Sequence, residues 1–472
     1  MWCFAAVTAP LAAQQRPLAI TAVEPEGFDR SRAQAATLQH VRRLVAIDTR
    51  NPPGNELRTA RYLDAALQRI PGVETEIIDA GDGRAHFVAR LRAVRPTRPP
   101  VLIMGHMDVV GVRESAWTTD PLQATEIDGY LYGRGVIDDK GPLAASVVAI
   151  EFLAEHRDRL QRDVMLLGTA AEEGGSVGID WLTDHRPDLF DEVEFALNEG
   201  GRVRTTDGRV RTVNVQTTEK VPYNVIARAT GPSGHGSVPL AENALAALAR
   251  AVSRVHAWRA PVHLNETTRT YFARLARVEP DTAMARAMRD LSSSTNERTI
   301  RAAADVLSAD PLHNAVLRTG MSLTMLDGGI RSNVIPSDGT ATLNVRVMPG
   351  EDVGAVVREM NAVGAESQVV FELDGGARAD PPPSPIDTEL FRALEAAAIA
   401  MAPDAVVLPF MSTGATDGAV LRSRGIPTYG VLPFPLEMED ELRMHGDNER
   451  VPVAALGWGA EFLYRTLEQV AR

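Results

Sequence analysis

The stretch Val101-Leu-Ile-Met-Gly-His106-Met-Asp108 decides the fold. Four apolar residues and a glycine read as a short buried strand that stops and delivers His106 and Asp108 at its carboxyl end. In open α/β sheets that end is where ligands bind. With extended backbone the two side chains point the same way, so the Asp108 carboxylate can orient the imidazole. Taken alone, the stretch reads better as a strand-end histidine followed by a turn-capping aspartate. The balance shifts because further acidic and imidazole clusters follow, each where a predicted strand runs into a loop.

Outward from this strand, apolar periodicity predicts helices over 31–47 and 57–69, separated by the breaker Asn51-Pro-Pro-Gly-Asn-Glu56. Strands are predicted over 73–80 and 86–91. A glycine-rich loop through Asp138-Asp139 opens onto a helix over 143–156. The strand predicted over 164–169 runs into Glu172-Glu173-Gly-Gly, and another from Phe195 ends on Glu199. Strand, helix, strand in alternation predicts an α/β fold on a mostly parallel sheet. Beyond it the predicted order is strand 221–230, helix 243–255, strands 321–326 and 341–347, helix 353–363 and strand 368–373. This β-α-β-β-α-β order fits an inserted ferredoxin-like sandwich, itself interrupted by a mostly helical stretch over 257–320. A helix over 388–401, two short strands and a helix over 454–470 complete the first unit. The expected division is a tail over 1–16, a main α/β domain over 17–216 and 378–472, and an inserted domain over 217–377.

Bulk numbers bound the function. At 472 residues the chain is too long for one core. The formal charge of −13 argues against nucleic acid or an anionic membrane as partner. Cys3 is the only cysteine, which excludes intrachain disulfides and cysteine-type zinc sites. Any metal must therefore sit on His, Asp and Glu. No segment is apolar for long enough to span a bilayer. The first fifteen residues are small and apolar and end in a Leu-Ala-Ala-Gln step similar to a signal-peptidase site. This favours export to the periplasm or beyond over a cytoplasmic location; an N-terminal tail is the competing reading.

The strand-end groups are His106, Asp138, Glu172, Glu173, Glu199 and His445. Two imidazoles and several carboxylates suit a pair of divalent ions such as zinc, cobalt or manganese. Neighbouring residues at a strand end point opposite ways, so one of Glu172 and Glu173 can hold a metal while the other faces the reacting group.

Taken together, the motifs resemble the di-zinc exopeptidases and deacylases that include aminoacylase, acetylornithine deacetylase, succinyl-diaminopimelate desuccinylase, carboxypeptidase G and carboxypeptidase S. The carriers are Gly105-His-Met-Asp108, Tyr132-Gly-Arg-Gly-Val-Ile-Asp-Asp-Lys-Gly141, Glu172-Glu-Gly-Gly, Asn198-Glu-Gly, Gly231-Pro-Ser-Gly-His-Gly-Ser237, Ser332-Asn-Val-Ile-Pro336 and His445-Gly-Asp-Asn-Glu449. The resemblance implies a zinc-exopeptidase-like catalytic domain with metal ligands His106, Asp138, Glu173, Glu199 and His445. Asp138 would bridge two ions, most commonly zinc, and its peptide to Asp139 would be cis. Glu172 would be the general base and Asp108 a partner of His106.

The implied reaction is hydrolysis of an amide in a peptide or N-acyl amino acid by a metal-bridged hydroxide, with Glu172 moving the proton to the leaving amine. His235 is the candidate donor to the carbonyl oxygen; on its residues alone it is a surface-loop histidine. Asn333, Arg346 and the backbone at Gly414 are substrate-binding candidates, since a guanidinium suits capture of a free carboxylate. Arg346 reads equally as a solvent-facing strand residue. The resemblance also implies that 17–216 and 378–472 form the catalytic metal-binding domain, that 217–377 is a lid or dimerisation domain, and that the protein is a homodimer. Two alternatives remain: a ureido or carbamoyl amidohydrolase, and a non-catalytic peptide-binding protein of the same fold.

Overall fold

The computed structural model describes residues 18, 23–376 and 379–472; the expected signal or tail over 1–16 and the boundary at 377 and 378 lie outside the described residues. An eight-stranded sheet forms the centre, in the order Val406–Ser412, Arg209–Glu219, Thr428–Leu436, Phe195–Thr206, Val101–His106, Val164–Thr169, Arg84–Leu91, Val73–Gly81. Strand Val101–His106 is flanked by parallel strands on both sides and all six of its residues are buried. A strand covered on both faces can be apolar throughout. Its side chains alternate: Val101 and Ile103 join one core cluster, Leu102 and Met104 the other. Helices Arg30–Val45, Lys140–Ala154, Glu389–Met401 and Val453–Ala471 cover the first face. The second is covered by helices Ile179–His185 and Gly418–Ser423.

The centre of the sheet is parallel, through strands 428–436, 195–206, 101–106 and 164–169, and its flanks add antiparallel pairs. Strands 73–81 and 84–91 form an antiparallel flank against 164–169. On the other side, strand Arg209–Glu219 folds back antiparallel on Phe195–Thr206 across Asp207-Gly208, both with positive φ. Such a dipeptide suits a two-residue hairpin turn.

Residues 221–374 build a second sheet in the order Gly320–Gly328, Asp338–Val347, Val221–Thr230, Val369–Asp374, antiparallel throughout. Helices Ala244–Ala257 and Val353–Gly364 pack on it, and strand Val221–Thr230 alternates buried with exposed or half-buried positions. Along the chain, these elements follow the expected strand, helix, strand, strand, helix, strand order. The stretch over 257–320 is helical, but it does not pack as part of this sandwich. Helices Glu266–Leu275, Thr282–Ser293, Glu297–Leu307 and Pro311–Leu317 enclose Phe272, Met288, Leu291 and Leu307 together with Leu408 and Met411 of strand Val406–Ser412. They cover the edge strand of the large sheet, which would otherwise present unpaired backbone. Among the described residues no helix is long and apolar enough to cross a membrane.

Candidate metal centre and active site

His106 ends the central strand. Its Nδ1 lies 3.0 Å from the Asp108 carbonyl, which can only accept, so the proton sits on Nδ1 and Nε2 is free to act as a donor atom. Nε2 faces Asp138 Oδ1 at 2.7 Å. The Asp108 carboxylate stands 3.6 Å from Nδ1 and is engaged elsewhere. It accepts from Asn51 Nδ2 at 2.7 Å and from the backbone N–H groups of Glu172 and Glu173 at 3.2 and 3.1 Å. Asp108 thus ties the central strand to the loop bearing the two glutamates.

Asp138 ends the glycine-rich loop and is buried. Its Oδ2 faces His445 Nε2 at 3.0 Å, so the two oxygens of one carboxylate each meet an imidazole. The Asp138–Asp139 peptide is cis, as the resemblance implies. Asp139 accepts from the backbone N–H of His106 at 3.1 Å. Helix Lys140–Ala154 starts immediately after, and Gly141 permits it, because a Cβ there would lie 2.1 Å from the Val136 carbonyl oxygen.

Glu449 holds this loop, a role its place in the His445-Gly-Asp-Asn-Glu motif did not reveal. Its fully buried carboxylate accepts from Arg134 Nη1 at 2.7 Å and from the backbone N–H groups of Gly135, Ile137 and Asp138 at 3.0, 2.7 and 3.3 Å. Arg134 also donates to the His445 and Gly446 carbonyls, joining the segments that carry Asp138 and His445.

The electrostatics are those of crowded acids. Burial works upward on Asp138, but the His106 and His445 imidazoles facing its two oxygens outweigh it and hold the carboxyl low. Those contacts raise His445 to about 10 through Asp138 and Glu173. Burial pushes Glu199 to about 8, with the Asp138 charge adding to it. Burial, with Glu199, Asp417 and Asp138 nearby, raises Glu172 well above the usual range. Asp417, in the Ser412-Thr-Gly-Ala-Thr-Asp stretch, was not anticipated; burial raises it to about 7 and its side chain bonds to Thr169.

Do these groups fit divalent ions? His106, Glu172 and Glu173 bring ligand atoms within 4.8 Å of one another, and so do Asp138, Glu173 and His445. Glu173 Oε1 is buried and receives no well-directed hydrogen bond, although His445 Nε2 stands 3.0 Å away. Nitrogen and oxygen ligand atoms converging this closely suit a shared cation, and such a donor set suits zinc, cobalt or manganese. Glu199 lies on the adjacent strand and is in neither triad; it enters as a buried charge beside Asp138 and His106.

The remaining candidates sit elsewhere. His235 is exposed, 2.8 Å from Ser237 Oγ, in a short strand pair with Val334. Asn333 is exposed on the neighbouring loop, its carbonyl accepting from Gly236 N at 2.8 Å. Arg346 is half-buried on the four-stranded sheet, with Nε 2.9 Å from Asn344 Oδ1. None of the three belongs to the eight-stranded sheet. Gly414 follows strand Val406–Ser412 and donates to Ser412 Oγ at 3.1 Å. Its loop is tied by Glu219, which accepts from Thr416 N and Oγ1 at 2.8 Å each and from Arg422 at 2.8 Å.

Similar chains carry names that match this chemistry. The N-fatty-acyl-amino acid synthase/hydrolase of Homo sapiens is 27% identical over 381 residues, 79% of this chain and 74% of that protein. Aminoacylase-1 of Mus musculus is 26% identical over 417 residues, 87% of this chain and 89% of that protein. Among solved structures, a metallo-carboxypeptidase from Sulfolobus solfataricus shares the fold with a TM-score of 0.68 at 19% identity, over 92% of this chain and 99% of that one. Human carnosine dipeptidase 1 does so with a TM-score of 0.66 at 19% identity, over 93% and 97%. The model of Peptidase family M20/M25/M40 matches residues 102–469, well over half of the chain, and the protein belongs to that family.

Proposed function

We propose that the protein is a two-metal amidohydrolase, zinc being the expected ion, that cleaves the amide of N-acyl amino acids or short peptides next to a free carboxylate. The observation that supports this best is the Asp138 carboxylate facing one imidazole with each oxygen, His106 at 2.7 Å and His445 at 3.0 Å. In this reading His106 and Glu199 complete one site, Glu173 and His445 the other, with Asp138 shared. Bound there, the ions would lower the pKa of a water and polarise the scissile carbonyl. Glu172 takes the proton from the attacking water and passes it to the nitrogen of the leaving amine. His235 donates to the carbonyl oxygen as charge develops there. Arg346, with Asn333 and the Gly414 backbone, holds the substrate carboxylate.

We assign His235, Asn333 and Arg346 to a lid over 217–377 that must approach the acids for catalysis, by closure or from a second copy. A homodimer joined at strand Gly320–Gly328 fits the latter. It is an edge strand whose Met325 and Leu326 are 67% and 68% exposed, an arrangement that invites pairing.

The test is a panel of N-acyl amino acids of varied acyl length, their carboxamides and N-carbamoyl amino acids, with each metal added back to the apoenzyme. Hydrolysis of the N-acyl acids, lost when the carboxylate is blocked, is expected. Turnover of the carbamoyl compounds alone would replace the proposal with a carbamoyl hydrolase. Glu172→Gln should retain metal while hydrolysis falls roughly 10²–10⁴-fold.

A further inference from the structure

The loop over 170–178, which carries Glu172 and Glu173, is held from outside at more points than a surface turn needs. It leaves strand Val164–Thr169 through Ala171, whose φ is +61°. That left-handed conformation is disfavoured for any residue with a Cβ, so the surroundings must impose it. Two buried side chains meet the loop there. One is His86: its Nδ1 accepts from Ala170 N at 3.2 Å, and its Nε2 lies 2.9 Å from the Val177 carbonyl oxygen. An amide N–H only donates and a carbonyl only accepts, which places the ring proton on Nε2 and makes one neutral imidazole span the entry and exit of the loop. The other is Glu56, fully buried, whose Oε1 accepts from Ala171 N at 3.3 Å. Arg84 balances this carboxylate with two bonds, at 2.6 and 3.0 Å. Its guanidinium also lies against the loop, 3.0 Å from where a Cβ on Gly175 would stand.

We propose that Glu56, anchored by Arg84, and His86 are positioning residues for Glu172 and Glu173: they lock the Ala170–Ala171 turn, and the turn sets where the two carboxylates stand. Neither touches substrate or metal. They act through the loop, so their removal lowers kcat and metal affinity and leaves KM nearly unchanged. The inference rests on Glu172 as proton acceptor and Glu173 as metal ligand.

The test uses the full chain, saturated with zinc and assayed well below its melting temperature. Glu56→Gln and His86→Phe are expected to lower kcat about 10–100-fold, the usual range for residues supporting a metal site, with KM within about twofold. Glu172→Gln supplies the cycle that separates positioning from general stability. Combined with Glu172→Gln, Glu56→Gln should lower the residual rate by less than it lowers the wild-type rate, because the part of its effect that runs through the base is already lost, while its effect on melting temperature should persist. Where Glu56→Gln does not fold, His86→Gln carries the same cycle, since it keeps one acceptor and one donor. Multiplicative losses in kcat, or a folded Glu56→Gln and His86→Phe with wild-type kcat, would overturn the proposal while Glu172→Gln is inactive. Near-normal turnover by Glu172→Gln itself would instead overturn the assignment of the base.

Discussion

Replacing Glu449 by glutamine probes the support of the metal loop with almost no change in shape. The wild-type carboxylate takes four donors, Arg134 and Gly135 N on Oε2, Ile137 N and Asp138 N on Oε1. Glutamine has one acceptor oxygen, so in either orientation its amide nitrogen faces two donors. Two bonds to a charged acceptor are lost, at about 1.5–3 kcal/mol each. Two things offset part of that loss. Arg134 keeps its bonds to the His445 and Gly446 carbonyls, and the neutral side chain escapes the burial that works against the Glu449 carboxylate. The expected loss is therefore near the lower end, about 3 kcal/mol, a large part of the roughly 5–15 kcal/mol that holds a protein folded. Freed amides at Ile137 and Asp138 let the shared carboxylate shift, so zinc affinity should fall about 10–100-fold. Urea unfolding of the apoprotein, followed by tryptophan fluorescence, reads the first quantity, and competition with a chromophoric chelator reads the second. A variant within about 0.5 kcal/mol of wild type, with unchanged zinc affinity, would refute the assignment of Glu449 as the anchor of this loop.

Other outcomes follow from the same contacts. Glu219→Leu leaves the buried Arg422 without its carboxylate and should destabilise by about 3–5 kcal/mol, whereas adding Arg422→Leu should recover much of it; chemical denaturation of both variants checks this. Arg346→Met should raise KM for N-acyl amino acids about tenfold to a hundredfold through loss of charge-assisted bonds, and leave carboxamide substrates unaffected. His86 is held at about 4 by burial, against 6.5 in the unfolded chain, with Asp108 and Arg84 as the nearby charges. Its folded pKa is depressed, so the unfolded state binds more protons between those values. Stability is then full above pH 6.5 and falls by about 3 kcal/mol as the pH drops towards 4. Melting curves across that range should flatten for His86→Phe.

Much of this architecture was readable from residue patterns, for physical reasons that also mark the limits. Strands 101–106 and 164–169 are apolar runs ending in polar residues, which is what burial on both faces requires. The four helices over 266–317 each begin at an Asn or Asp, at 265, 281, 296 and 310, whose side chain accepts from the first turn. Caps set where a helix starts and not what it packs on, so the seat of these helices on strand Val406–Ser412 stayed hidden. Strand Arg209–Glu219 was missed because it is nearly all buried yet holds only three apolar residues among Arg, Thr, Asn and Gln; Asp207-Gly208 carried the hairpin signal. The acids around Asp138 were found because each ends a predicted strand or motif. Glu56, His86, Glu219, Asp417 and Glu449 were not assigned, since a buried polar residue that serves the backbone of a distant loop leaves no local periodicity.

The central claim is that His106, Asp138, Glu173, Glu199 and His445 hold two cations around Asp138. Elemental analysis after dialysis against zinc tests it most directly. Two equivalents of zinc per chain are expected for the wild type, and no more than one for Asp138→Asn, with activity lost on chelation and restored by added metal. A wild-type protein that binds one equivalent or none, or that hydrolyses its substrate at full rate in chelator, would contradict it.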